Sequence, residues 1–171
     1  MRKIVLITLS AVVILAGVLY SGKSSPAQAD SPMTLQFHSM VGVPAGLTAS
    51  QSQVPLRGIN GGGIPWMLTS ANGWLKSTGE LKIDVEGLVL AAGPNAGSNP
   101  ITSFRALVSC VNSDGSFTNI LSDAFPATTG SALSGGGNAD IETTVSLPHP
   151  CIAPIVFVTS PGGSWFAATG K

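Results

Sequence analysis

Leu81, Ile83 and Val85 alternate one for one with Lys82, Asp84 and Glu86. A strict period of two sends one set of side chains into a core and the other into water, and only a β-strand has that period. The pattern predicts a strand from Glu80 to Leu90. Phe104, Ala106, Val108 and Cys110 alternate with Arg105 and Ser109 in the same way, as do Ile141, Thr143, Val145 and Leu147 with Glu142, Thr144 and Ser146. Ile152 to Thr159 is instead a nearly unbroken apolar run, which predicts a central strand covered on both faces. A first strand is expected near Thr34 to Val41, followed by a long connection from Gly42 to Pro55. No amphipathic helical pattern occurs after residue 30.

The punctuation between these runs is turn chemistry. Ser77-Thr78-Gly79 fits a three-residue hairpin loop with Gly79 at positive φ. That register sets Lys76 against Glu80 at the loop mouth and Leu75 against Leu81 on the core face. Ser113-Asp114-Gly115 repeats the device and sets Val111 against Phe117. Ser160 to Ser164 separates the long apolar run from Trp165-Phe166-Ala167, predicting a C-terminal hairpin with a longer loop. Short strands with turns between them predict an all-β fold, an antiparallel β-sandwich of immunoglobulin-like or related topology. The glycine-rich stretches Gly58 to Gly63 and Gly130 to Gly137 read as loops, and there is no internal repeat.

Only 9% of the 171 residues are charged, against roughly 25% in an average soluble domain. This excludes coiled coils and long charged helices, which need Glu, Lys and Arg in quantity. Eight basic and eight acidic residues cancel, which excludes a strongly basic nucleic-acid binder. The N-terminus is the exception to the β pattern. Arg2 and Lys3 precede an uncharged run, Ile4 to Tyr20, then a polar stretch ending in Ala27-Gln28-Ala29. This is the layout of a secretory signal peptide cleaved between Ala29 and Asp30, leaving residues 30–171 as one domain. The alternative is a retained membrane anchor over residues 4–20, a helix of roughly 26 Å against a hydrocarbon core of roughly 30 Å. No cysteine lies near position 20, so a lipoprotein anchor is excluded. Both readings put the domain outside the cytoplasm, secreted or at the cell surface. The part after Ala29 holds five basic and eight acidic residues, a net charge of −3, unsuited to phosphate-rich surfaces.

Cys110 and Cys151 are the two cysteines, and an even count in an exported chain predicts a disulfide between them. Neither has the basic surroundings of a reactive thiol. His38 and His149 are too few and too scattered for a zinc site. Asn112 to Gly115 lacks the further acidic positions of a calcium loop and reads as the hairpin turn. The pairs Asp84/Glu86 and Asp140/Glu142 read as solvated strand faces. No nucleophile elbow or H-E-x-x-H is present, and Gly58 to Gly63 has no following Lys or helix to make a phosphate loop. Those glycines read instead as backbone that needs positive φ or close packing. No catalytic residue, cofactor or metal ligand is therefore expected, and the chain does not read as an enzyme. Of the three tryptophans, Trp66, Trp74 and Trp165, the default is a core position. Trp74 falls opposite Lys82 on the wetter face, which makes it the leading candidate for ligand contact, with Trp66 second.

Four segments resemble a group of uncharacterised exported bacterial proteins: Arg57 to Trp66, Gly79 to Val89, Ser103 to Cys110, and Pro150 to Phe166. The resemblance spans roughly residues 56–170. It implies an exported bacterial β-domain and carries no catalytic residue over. The expected role is structural or binding, at the cell surface or in the medium, with a glycan or cell-envelope component as partner. A carbohydrate-binding module using Trp74 and Trp66 is the alternative, and a hydrolase a more distant one.

Overall fold

The computed structural model describes residues 32–44 and 55–170. The expected leader, its Ala29–Asp30 cleavage point and residues 4–20 lie outside the described residues, as does the stretch 45–54 of the long connection. In chain order the described strands are β1 (Met33–Phe37), β2 (Met40–Gly42), β3 (Trp66–Met67), β4 (Ser70–Lys76), β5 (Glu80–Glu86), β6 (Val89–Leu90) and β7 (Ser98–Asn99). They continue with β8 (Ser103–Val111), β9 (Phe117–Pro126), β10 (Gly130–Ser131), β11 (Ala139–Thr144), β12 (Ile152–Thr159) and β13 (Trp165–Thr169). A four-stranded sheet, β1-β4-β5-β11, faces a five-stranded sheet, β2-β13-β12-β8-β9, and two short ribbons, β3-β6 and β7-β10, flank them. All named pairings are antiparallel. The fold is an all-β sandwich. Its strand order differs from the immunoglobulin one: there the second strand lies beside a non-sequential neighbour, whereas β4 lies beside β5, the next long strand.

All three expected hairpins form, and the first two have the expected registers. Leu75 faces Leu81, Gly79 has φ +89°, and Lys76 Nζ lies 2.8 Å from Glu80. Val111 faces Phe117 across Ser113–Gly115. Thr159 faces Trp165 across the Ser160–Ser164 loop. The core between the sheets is the inward set of the alternating strands. Leu75, Leu81, Ile83, Val85 and Ile141 meet Phe104, Val108, Val156 and Val158, all essentially inaccessible. Each such side chain contributes roughly 1.5–3 kcal/mol by leaving water. Cys110 and Cys151 are bonded, with Cα atoms 4.9 Å apart, tying the end of β8 to the start of β12, its hydrogen-bonded neighbour.

Three expectations need correcting. The strand near Thr34–Val41 is two strands: the chain leaves β4 at Phe37, turns at His38-Ser39, and joins β13 in the other sheet as β2. The strand from Glu80 ends at Glu86, because Gly87 takes φ +63° and breaks the pleat before β6. Ser109 is not on a wet face but fully buried. The reason is the segment 55–63, which lies over the outer face of the five-stranded sheet. Gly61 bridges Trp165 in parallel, Trp165 N–H donates to Asn60 O, and Gly62 N–H donates to Trp165 O. Ile59 joins Leu107, Phe157 and Trp165 in the buried cluster. This cover makes β12 a strand buried on both faces, but only over Val156–Thr159; Ile152 and Ala153 are exposed.

Leu56 and Ile59 exchange both backbone hydrogen bonds around Arg57-Gly58, with φ +51° and +78°. Two positive φ values mark a type I′ turn, which favours Asn, Asp or Gly in its first central position. Arg57 is held there by its own contacts. β12 loses register at Ala153-Pro154, where proline has no N–H to give to β8. Arg57 Nη1 donates to Ser109 O at 2.8 Å and Nη2 to Ala153 O at 2.7 Å, and the guanidinium lies 5.5 Å from the Phe117 ring centroid. Gly62 meets the close-packing reading: a Cβ there would come within 2.6 Å of the Phe166 ring.

Candidate functional site

Side chains on the outer face of the four-stranded sheet follow directly from the register. One row across all four strands is Gln36, Trp74, Lys82 and Glu142. The next is Asn72, Asp84 and Asp140, and beyond it Ser70 faces Glu86 and donates a hydrogen bond to it at 3.0 Å. These are the polar positions of the alternating strands, so the pattern that builds the core also builds this face. Asp84, Glu86, Asp140 and Glu142 are exposed, as expected of a solvated face. Lys82 Nζ sits 3.6 Å from Glu142 and 4.0 Å from Asp140, leaving the carboxylates in excess on the strip. Trp74 is half-buried in the middle, with Lys76 Nζ 5.0 Å from its ring centroid. A shallow cleft of about 380 Å³ runs off the strip between Asp84, Glu86 and Asp140 on one side and Pro126, Thr128 and Asn138 on the other.

The other tryptophans are in the core. Trp66, expected as a second surface aromatic, is 5% exposed. Its ring stacks on Phe166, with centroids 3.9 Å apart and planes 23° from parallel. β3 pairs with β6, which turns Trp66 inward against the end of the sandwich. Its Nε1 makes no hydrogen bond among the described residues. Trp165 is 4% exposed and meets Phe157 edge-on. Both therefore follow the default for tryptophan, and the returning glycine-rich segment, which no local pattern places, covers them.

His38 and His149 are both exposed. The small cleft beside His149, about 110 Å³, is lined among the described residues by Thr34, Ser77, Leu147, Pro148 and Cys151, with no carboxylate. Asp114 accepts from Ser116 N–H at 2.9 Å and from Ser116 Oγ at 2.6 Å. These bonds, the hydroxyl first, hold its carboxyl below the usual carboxylate range. They close the hairpin turn. Among the described residues no helix is long and apolar enough to cross a membrane, and no group of three or more His, Cys, Asp or Glu is placed to hold a metal. No protein-family model matches the chain, and neither does any curated protein or solved structure.

Proposed function

We propose that the protein is an exported bacterial β-sandwich with a non-catalytic binding role at the cell surface or in the medium, and that it takes carbohydrate on the outer face of its four-stranded sheet. One observation supports this above the rest: Trp74 stands partly exposed within a strip of Gln36, Asn72, Lys82, Asp84, Asp140 and Glu142. A sugar ring offers a face of C–H groups and a rim of hydroxyls. An aromatic ring takes the first without needing charge, and amide and carboxylate groups beside it take the second. Export rests on the leader pattern, and the Cys110–Cys151 bond suits an oxidising compartment.

Affinity electrophoresis of the folded domain in gels containing soluble plant, fungal and bacterial cell-wall polysaccharides tests the reading. At least one polysaccharide should retard migration, and Trp74→Ala should weaken that retardation at least tenfold while leaving the circular dichroism spectrum unchanged. Retardation by none of them, or retardation indifferent to Trp74→Ala, would sink it. Export is checked separately by mass spectrometry of protein from the culture medium, where the chain should begin at Asp30.

A further inference from the structure

A second concavity, of about 430 Å³, lies away from the Trp74 strip. Its walls are Leu35 of β1, Leu56 and Arg57 of the type I′ turn, Pro154 and Ile155 of β12, and the end of β13. The volume falls at the low end of the roughly 300–1,000 Å³ typical of small-molecule sites, which suits one alkyl chain rather than two. Arg57 is the one charged residue on the wall among the described residues. A guanidinium carries five N–H donors and stays charged. Two of the Arg57 donors go to neutral backbone carbonyls, and no ion pair engages it among the described residues. Burial lowers its pKa. The groove therefore joins an apolar wall to a cation that, among the described residues, is met by two carbonyls and the Phe117 ring but by no carboxylate.

The backbone marks the same place. Among the described residues, the non-glycine residues at positive φ are Arg57 (+51°) and Ala153 (+42°). Both line this groove, and Arg57 Nη2 bonds Ala153 O. Such conformations persist only where surrounding structure imposes them, and they cluster at ligand sites.

We propose that this groove binds a single-chain anionic amphiphile of the medium-chain fatty-acid class. The alkyl chain lies along Leu35, Leu56, Pro154 and Ile155, and the carboxylate takes N–H groups of Arg57 left over from the two carbonyls. A charge-assisted bond to the head fixes orientation, and the chain supplies affinity in proportion to the area it buries.

Calorimetric titration of the folded protein with decanoate, hexanoate and decylamine tests this. Decanoate should bind at least tenfold more tightly than either hexanoate, which lacks chain length, or decylamine, which inverts the head charge. Amide shifts on adding decanoate should centre on Leu35, Ile155 and Thr169. Arg57→Gln should lose the preference for the anion. Because Arg57 also holds two carbonyls, Leu35→Glu provides a second variant: it places an anion on the wall, and should abolish decanoate binding while strengthening decylamine. No binding by the wild type, equal affinity for decanoate and decylamine, or shifts confined to the Trp74 strip would overturn the proposal. So would a dimer that buries the groove, seen as concentration-dependent sedimentation. The two faces share none of the residues tested, so failure of carbohydrate binding leaves this result independent.

Discussion

Ser109 shows how much a single residue owes to its cover. Its hydroxyl is buried and makes no hydrogen bond among the described residues. An unsatisfied hydroxyl in such a place costs roughly 1–3 kcal/mol by mutational measures. We expect Ser109→Ala to raise stability by about 1 kcal/mol, read as a higher urea midpoint at unchanged slope; a loss of stability would mean that the hydroxyl has a partner. Asp114 is the opposite case, an exposed group whose bonds to Ser116 favour its charged form. A carboxyl with a folded-state pKa below its unfolded value, ordinarily about 3.9 for Asp, stabilises the fold above that ordinary value. The contribution is lost as pH falls through the lowered one. Carbon-detected NMR titration should show Asp114 as the low outlier, and Asp114→Ala should remove pH dependence in that acid window only. Asp84 and Asp140 face each other directly across β5 and β11. Like charges so placed repel, so Asp84→Asn should stabilise by about 0.5 kcal/mol, more at low salt than at high.

Among the elements, the β4–β5 hairpin depends on one backbone position. Gly79 takes φ +89°, and its N–H closes the loop on Lys76 O at 3.0 Å. A Cβ at Gly79 would meet the backbone of Val145 as well as an unfavourable φ. Gly79→Ala should therefore cost about 2 kcal/mol or more, above the usual figure for a glycine at positive φ in open space. Gly115 occupies the matching position in the β8–β9 loop at φ +84°, with nothing within 4 Å of its Cβ position. Gly115→Ala should cost only about 1 kcal/mol. Chemical denaturation of the two variants side by side separates the conformational cost from the steric one; equal losses would mean that the Val145 contact is not felt. These hairpins were legible from sequence because their determinants are local: a glycine at the third loop position, and apolar residues that fall into register once the loop is closed. The type I′ turn at Arg57-Gly58 was not. Arginine is a poor residue for that position, and its conformation is held by Ser109 O, Ala153 O and the Phe117 ring, distant in the chain.

For the whole molecule, the disulfide is the one covalent link between distant parts of the chain among the described residues. It joins positions 41 apart, which corresponds to about 4 kcal/mol in the chain-entropy account. That is a large share of the roughly 5–15 kcal/mol that holds a domain folded. Reduction, or the Cys110→Ala/Cys151→Ala pair, should lower the melting temperature by roughly 10–15 °C; calorimetry showing a change under about 3 °C would mean that strain or residual unfolded structure cancels the effect. The sequence by itself determined the all-β class, the three hairpins and the registers of two of them, the cysteine pairing and the polar face around Trp74. Each of these follows from period two, from loop chemistry, or from a count of two cysteines, and such signals act over a few residues or leave no other choice. Tertiary structure decided which sheet each strand joined, the crossing of the first strand from one sheet to the other, and the burial of Trp66, Trp165 and Ser109. It also brought Leu35, Leu56, Arg57 and Ile155 to one groove. Those outcomes depend on which surface a glycine-rich segment comes back to cover, and that is set by the packing of residues far apart in sequence, where the gain from burial is shared among partners that no local pattern names.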